Sequence, residues 1–103
     1  MLKPDRKPTQ PGALLKEMFL EPRGIAISAL AEAMGVSRNH VNNIVRGKAR
    51  IEAELAMRLA AVLGTSAQLW LNMQNAADIY QAEKNNRRWK PSHTFYAEAA
   101  NPL

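Results

Sequence analysis

Five stretches of the chain place apolar residues at helical spacing. Leu14, Leu15, Met18 and Phe19 mark the first, which follows Pro11 and is read as ending at Pro22 and Gly24. A shorter stripe of Leu30, Ala31 and Met34 begins near Ala26 to Ser28 and closes at Gly35, a residue free to take the positive φ of a helix end. Ser37 is the cap of a third helix reaching Arg46, with Val36 and Val41 spaced as a hydrophobic staple and Gly47 behind it. Residues 52–63 make the fourth, with Leu55, Ala56, Leu59, Val62 and Leu63 inward, Glu52 and Glu54 at its positive start, and Glu54 one turn before Arg58. The fifth starts after Thr65 or Ser66 and aligns Leu69, Trp70, Met73, Ala76, Ala77 and Tyr80 to seal the core. No alternating run reads as a strand, so the predicted class is all-α.

What the stripes leave over defines the rest of the organisation. Residues 1–10 are polar and proline-rich and read as a flexible arm, 11–83 as the folded domain, and 84–103 as a basic tail. The tail carries Lys84, Arg87, Arg88 and Lys90 around Trp89, then Phe95 and Tyr96. On the fifth helix, Leu71, Ile79 and Ala82 lie on a side where a lone monomer would prefer polar groups, which marks them as a dimer or partner face.

The third helix has the most pointed composition. Val41, Ile44 and Val45 fall within about 100° of one another, while Arg38, Asn39, Asn42, Asn43 and Arg46 occupy a separate arc of about 140°. Asparagine is a poor helix former, so three on one short helix call for a reason beyond propensity. Two short helices joined through Gly35 and Val36 have helix-turn-helix spacing, and in such a unit the second helix enters the DNA major groove. There an arginine can bond guanine O6 and N7, and an asparagine can bond adenine N6 and N7. Arg38, Asn39, Asn42 and Asn43 are therefore the candidate base-reading residues. Ser37, His40, Arg46, Lys48 and Arg50 are the candidate phosphate contacts. No acid interrupts the chain between Glu32 and Glu52.

Charge and composition agree with a polyanionic partner. The 103 residues hold 14 Lys and Arg against 9 Asp and Glu, a net charge of +5, and are long enough for one small domain. There is no cysteine, which removes disulfides, thiolate metal sites and cysteine nucleophiles together. His40 and His93 have no ligand partner at metal-binding spacing, and no nucleophile–base pair or glycine-rich phosphate loop is present. No catalytic residue, metal or cofactor is expected. Without an apolar run long enough for a signal or a membrane span, the expected location is cytoplasmic, away from membranes.

The run from Leu30 to Lys48, LAEAMGVSRNHVNNIVRGK, resembles the phage-repressor-like (XRE) helix-turn-helix family. Glu54 to Gly64, ELAMRLAAVLG, with Thr65, Ser66 and the WLNMQ of Trp70 to Gln74, is similar to the HigA/VapI antitoxins of that family. The resemblance spans about residues 11–83. It implies a five-helix lambda-repressor-like fold and a homodimer that binds double-stranded operator DNA and represses its own operon. It further implies a cognate toxin partner, a HigB/RelE-type mRNA-cleaving protein, which this chain would neutralise. Ala26 and Ile27 stand where relatives tend to carry a polar cap or amide, and Glu52 where they carry Ser or Thr. Two other readings remain at this point: a free-standing repressor without a toxin, and a helix-turn-helix module that serves only as a protein-interaction adaptor.

Overall fold

In the computed structural model, which describes residues 7–96, the helices form where the stripes predict them. Residues 1–6 of the expected arm and 97–103 of the expected tail lie outside the described residues. The first helix, α1, runs without a break through Pro11–Leu14, a π-helical stretch Leu15–Leu20, and Glu21–Arg23. It is followed by α2 (Ile27–Met34), α3 (Arg38–Val45), α4 (Ala53–Leu63) and α5 (Ala67–Asn85). No strand occurs among the described residues.

The π-helical stretch refines one expectation for α1 and corrects another. The helix ends at Gly24 as expected, where φ is 63°, with Pro22 inside its last turn. Proline has no N–H to pair with a carbonyl one turn back, and the wider i→i+5 pairing, seen at the Glu21 N–H to the Lys16 carbonyl, accommodates it. The wider turn also rotates the stripe. Leu15 and Leu20, five residues apart, are both buried, while Met18, expected inside, is 61% exposed.

The core gathers Leu15, Leu20, Leu30, Ala31, Met34, Val41, Ile44, Ile51, Ala56, Leu59, Leu63 and Trp70. Helix α1 packs on α3 and α5, α2 on α3 and α4, and α4 on α5, so α1 and α4 join the helix-turn-helix pair to α5. Trp70 is fully buried, donates from Nε1 to Thr65 Oγ1 at 2.7 Å, and meets Phe19 with ring centroids 5.5 Å apart. Arg23 lies over the Phe19 ring, 5.0 Å from its centroid, and donates to the Leu63 carbonyl at 3.3 Å, which ties the end of α1 to the end of α4. Val62 and Ala76 are exposed, contrary to the expected stripes. On α5 the inward place goes to Gln74, which no apolar pattern could nominate.

The tightest approach lies between α1 and α3. Gly12 is buried, and a Cβ added to it would overlap the Ile44 carbonyl oxygen and come within 3.0 Å of the Val45 carbonyl oxygen. Only a residue without a side chain lets the start of α1 rest on the last turn of α3.

Candidate nucleic-acid interface

The turn between α2 and α3 is held from three sides. Gly35 takes φ 72°, Val36 N–H closes on the Ala31 carbonyl at 3.0 Å, and Gly35 N–H on Glu32 at 3.2 Å. From α4, Arg58 Nη1 donates to the carbonyls of Met34 (2.8 Å) and Gly35 (3.3 Å), while its Nη2 meets Glu54 Oε2 at 2.8 Å. The Glu54–Arg58 pair was expected from its spacing; the reach of the same guanidinium to the turn was not. Arg58 thereby satisfies carbonyls that the end of α2 leaves open.

Ser37 caps α3 as expected, its Oγ accepting from His40 N–H at 3.0 Å. Val41 and Ile44 are buried and Val45 half-buried, so the opposite arc faces out: Arg38, Asn39 and Arg46 are exposed, Asn42 and Asn43 half-buried. Ile27, at the start of α2, shares a shallow concavity with Arg38, Asn39 and Asn42. Ser37 is exposed and His40 half-buried at the near end, and Lys48 is exposed beyond the far end. The ion pairs among the described residues take none of Arg38, Arg46 and Lys48.

Past α3 the chain turns at Gly47, with Lys48 and Ala49 N–H groups both bonded to the Asn43 carbonyl at 2.8 and 3.1 Å. The next residues are anchored by α5. Gln74 Oε1 accepts from Ile51 N–H at 2.8 Å, and Gln74 Nε2 donates to Asp78 Oδ1 at 3.1 Å. Asp78 in turn receives both terminal nitrogens of Arg50, at 2.9 and 2.6 Å, and Arg50 Nε also meets Glu52 Oε2 at 3.1 Å. Arg50, expected at a phosphate, bonds two carboxylates of its own chain while its side chain stays half exposed. Sequence proximity to α3 suggested the phosphate role; the carboxylate that claims the side chain is 28 residues away. Glu52 makes no cap bond, because its side chain turns to Arg50.

The Arg50 guanidinium bonded to Asp78 holds that carboxyl below the usual carboxylate range, helped by the Gln74 amide and opposed by partial desolvation. Aspartates in the unfolded chain titrate near about 3.9. The contribution of Asp78 to stability is therefore complete above that pH and is lost as pH falls through its lower folded-state value. Asp78→Asn should flatten the acid limb of stability against pH below about 4. Urea midpoints across that range provide the measurement, and an acid limb as steep as the parent's would remove Asp78 from the account.

A helix-turn-helix family model matches residues 15–70, the stretch that holds this glycine turn and α3. The chain belongs to the helix-turn-helix family. Among the relatives of this helix-turn-helix protein, antitoxin HigA-1 of Vibrio cholerae is 49% identical over 80 residues, covering 78% of this chain and 75% of the relative. An uncharacterised HTH-type transcriptional regulator of Haemophilus influenzae is 45% identical over 82 residues, covering 80% and 77%. The solved structure of Pseudomonas aeruginosa antitoxin HigA with the higBA promoter superposes at a TM-score of 0.77 with 36% identity, over 84% of this chain and all of that one (100%). Antitoxin GraA in complex with its operator gives 0.77 and 34%, over 91% and 100%. The resemblance to HigA-type antitoxins drawn from the residues therefore holds in both sequence and fold. No helix among the described residues is long and apolar enough to cross a membrane.

Proposed function

We propose that this helix-turn-helix protein is a HigA-type antitoxin that binds operator DNA as a homodimer, represses its own operon and neutralises a HigB/RelE-type toxin. The observation that carries the DNA half is the outward arc of α3, where Arg38, Asn39, Asn42 and Asn43 stand clear of a buried Val41 and Ile44 seam. Base edges in a major groove are the partner that such donors and acceptors fit. The related HigA and GraA are known in complex with promoter and operator DNA, which supports the same use here.

In a dimer, two copies of α3 about 34 Å apart would each read one half of an inverted repeat. Leu71, half-buried, and Ile79 and Ala82, exposed on the outer side of α5, form the dimer or partner face in this proposal. Ser37 and His40 at the start of α3, and Arg46 and Lys48 at its end, take phosphates and set the register without reading sequence. Arg50 supports this loop from behind through Asp78 and Gln74.

With Arg50 so engaged, each subunit neutralises about three phosphates through the helix-turn-helix unit, and log affinity should fall with log salt at a slope of about −5 for the dimer. Arg38→Ala or Asn43→Ala should cost about 1 to 3 kcal/mol on the operator and relax preference at one base pair per half-site, whereas Lys48→Ala should weaken operator and random DNA alike. Gel-shift titration of the native upstream duplex against a scrambled one makes the measurement. Equal losses on both duplexes for all three variants would overturn the assignment, and no preference in the parent protein would overturn the operator reading.

The H. influenzae relative described as a transcriptional regulator favours a second reading, a repressor with no toxin. Co-expression with the neighbouring gene separates the two: rescue of growth and co-purification support the antitoxin, and their absence alongside intact operator binding supports the lone repressor.

A further inference from the structure

The cations after Glu83 have no task in the reading above. Lys84, Arg87, Arg88 and Lys90 lie in a stretch with no acidic residue from Lys84 to Tyr96. Every residue from Gln81 to Tyr96 is exposed, and the ion pairs among the described residues include none of the four cations. A block of like charge repels itself along the chain, and a polyanion relieves that repulsion. Trp89, 69% exposed, sits among these cations with its backbone N–H bonded to the Asn86 carbonyl at 3.0 Å. That turn gathers Arg87, Arg88 and Trp89 instead of stringing them out.

Helix α5 determines where the block is delivered. Its first turns are buried against Phe19 through Trp70; its middle reaches the loop behind α3, first through Gln74 to Ile51 and then through Asp78 to Arg50. Travel along α5 thus runs from the core toward the loop that carries Lys48. At 1.5 Å per residue, Lys84 lies about 9 Å along the axis past Asp78, little more than the reach of one long side chain. Arg87, Arg88 and Lys90 follow the end of α5 at Asn85, beyond the Asp78 to Arg50 contact.

We propose that the segment from Lys84 to Lys90 is a second DNA contact, taking duplex phosphates outside the footprint of the helix-turn-helix unit, with Trp89 laid against the sugar–phosphate edge. The proposal rests on the DNA-binding reading above and lengthens its footprint. Arginine guanidinium suits the role because it can hold two phosphate oxygens at once. Charge complementarity between four exposed cations and a regular row of phosphates favours DNA over an acidic protein surface, which the test includes as a competitor.

The two tryptophans supply a built-in probe: Trp70 is fully buried and Trp89 is exposed, so a neutral quencher such as acrylamide reports on Trp89. Full-length protein is titrated with a duplex holding only the operator half-sites, with one extended by about ten base pairs, one helical turn, on each side, with a scrambled duplex of the longer length, and with poly-glutamate. The extended duplexes should shield Trp89. The triple variant R87Q/R88Q/K90Q should keep the parent's thermal melt and its operator preference, yet flatten the salt slope on the extended duplexes by about 3 to 5 for the dimer. A slope changed by less than about 1 with Trp89 still quenched would overturn the proposal, as would shielding by poly-glutamate but not by DNA. The scrambled duplex separates the two readings. Lost operator preference in the parent sinks the operator alone, because the variant's slope on scrambled DNA still judges the basic segment; retained preference with an unchanged slope sinks the segment alone.

Discussion

Trp70→Ala is expected to cost about 3 to 5 kcal/mol of folding stability, the range for removing a fully buried large aromatic side chain. Small domains have about 5 to 15 kcal/mol in total, so the variant should be largely unfolded at physiological temperature or hold together only in low denaturant. Three losses combine: the ring volume at the junction of α1, α4 and α5, the tilted contact with Phe19, and the bond from Nε1 to Thr65. Trp70→Phe keeps most of the volume and loses the bond, and should cost far less, about 1 to 2 kcal/mol. Urea unfolding followed by circular dichroism gives both numbers. Equal midpoints for the alanine and phenylalanine variants would show that packing at this site is not what matters.

Gly12→Ala is expected to destabilise the fold by about 1 to 3 kcal/mol despite adding a single methyl group, because the atoms in its way are backbone. The methyl carbon would overlap the Ile44 carbonyl oxygen, and neither helix can yield there by a side-chain rotation. One of the two must shift, and α3 is the one presenting Arg38 and the asparagines. Operator affinity should therefore fall by more than the lost stability explains, while the salt slope, set by charge, stays the same. Affinity measured well below the melting temperature tests this; a Gly12→Ala protein with parent-like melting and binding would show that the contact gives way without cost.

Local chemistry was readable from the residues, and contacts between distant segments were not. The cap at Ser37 was legible because a cap bonds an N–H three residues on, a distance a sequence displays directly; for α5 the sequence left Thr65 and Ser66 open, and Ser66 is the one that caps. The α3 face was equally plain, since one periodicity separates its valines and isoleucine from its amides. Met18 was misplaced because a π-helical turn shifts a stripe by about one residue, and apolar spacing assumes a uniform helix. Val62 and Ala76 sit at the edges of otherwise correct stripes, where a few degrees of helix rotation decide between core and water.

Gln74, Asp78 and Arg50 illustrate the other limit. Gln74 is polar, and its buried role exists only because Ile51, 23 residues earlier, offers an N–H there. Arg50 looked available for DNA because nothing within a few residues of it, apart from Glu52, could hold it. Arg58 was half understood for the same reason: its partner one turn away was visible, and its bonds to Met34 and Gly35 across the fold were not.

The hold of Arg58 on the glycine turn bears on how binding preference can be changed. The angle between α2 and α3 depends on a side chain from α4, so a peptide cut to the helix-turn-helix alone would lack the part that sets its geometry. Arg38, Asn39 and Asn42, by contrast, point away from every supporting contact described. A new operator preference is thus better obtained by exchanging those outward side chains on the intact domain than by moving the two-helix unit to another scaffold.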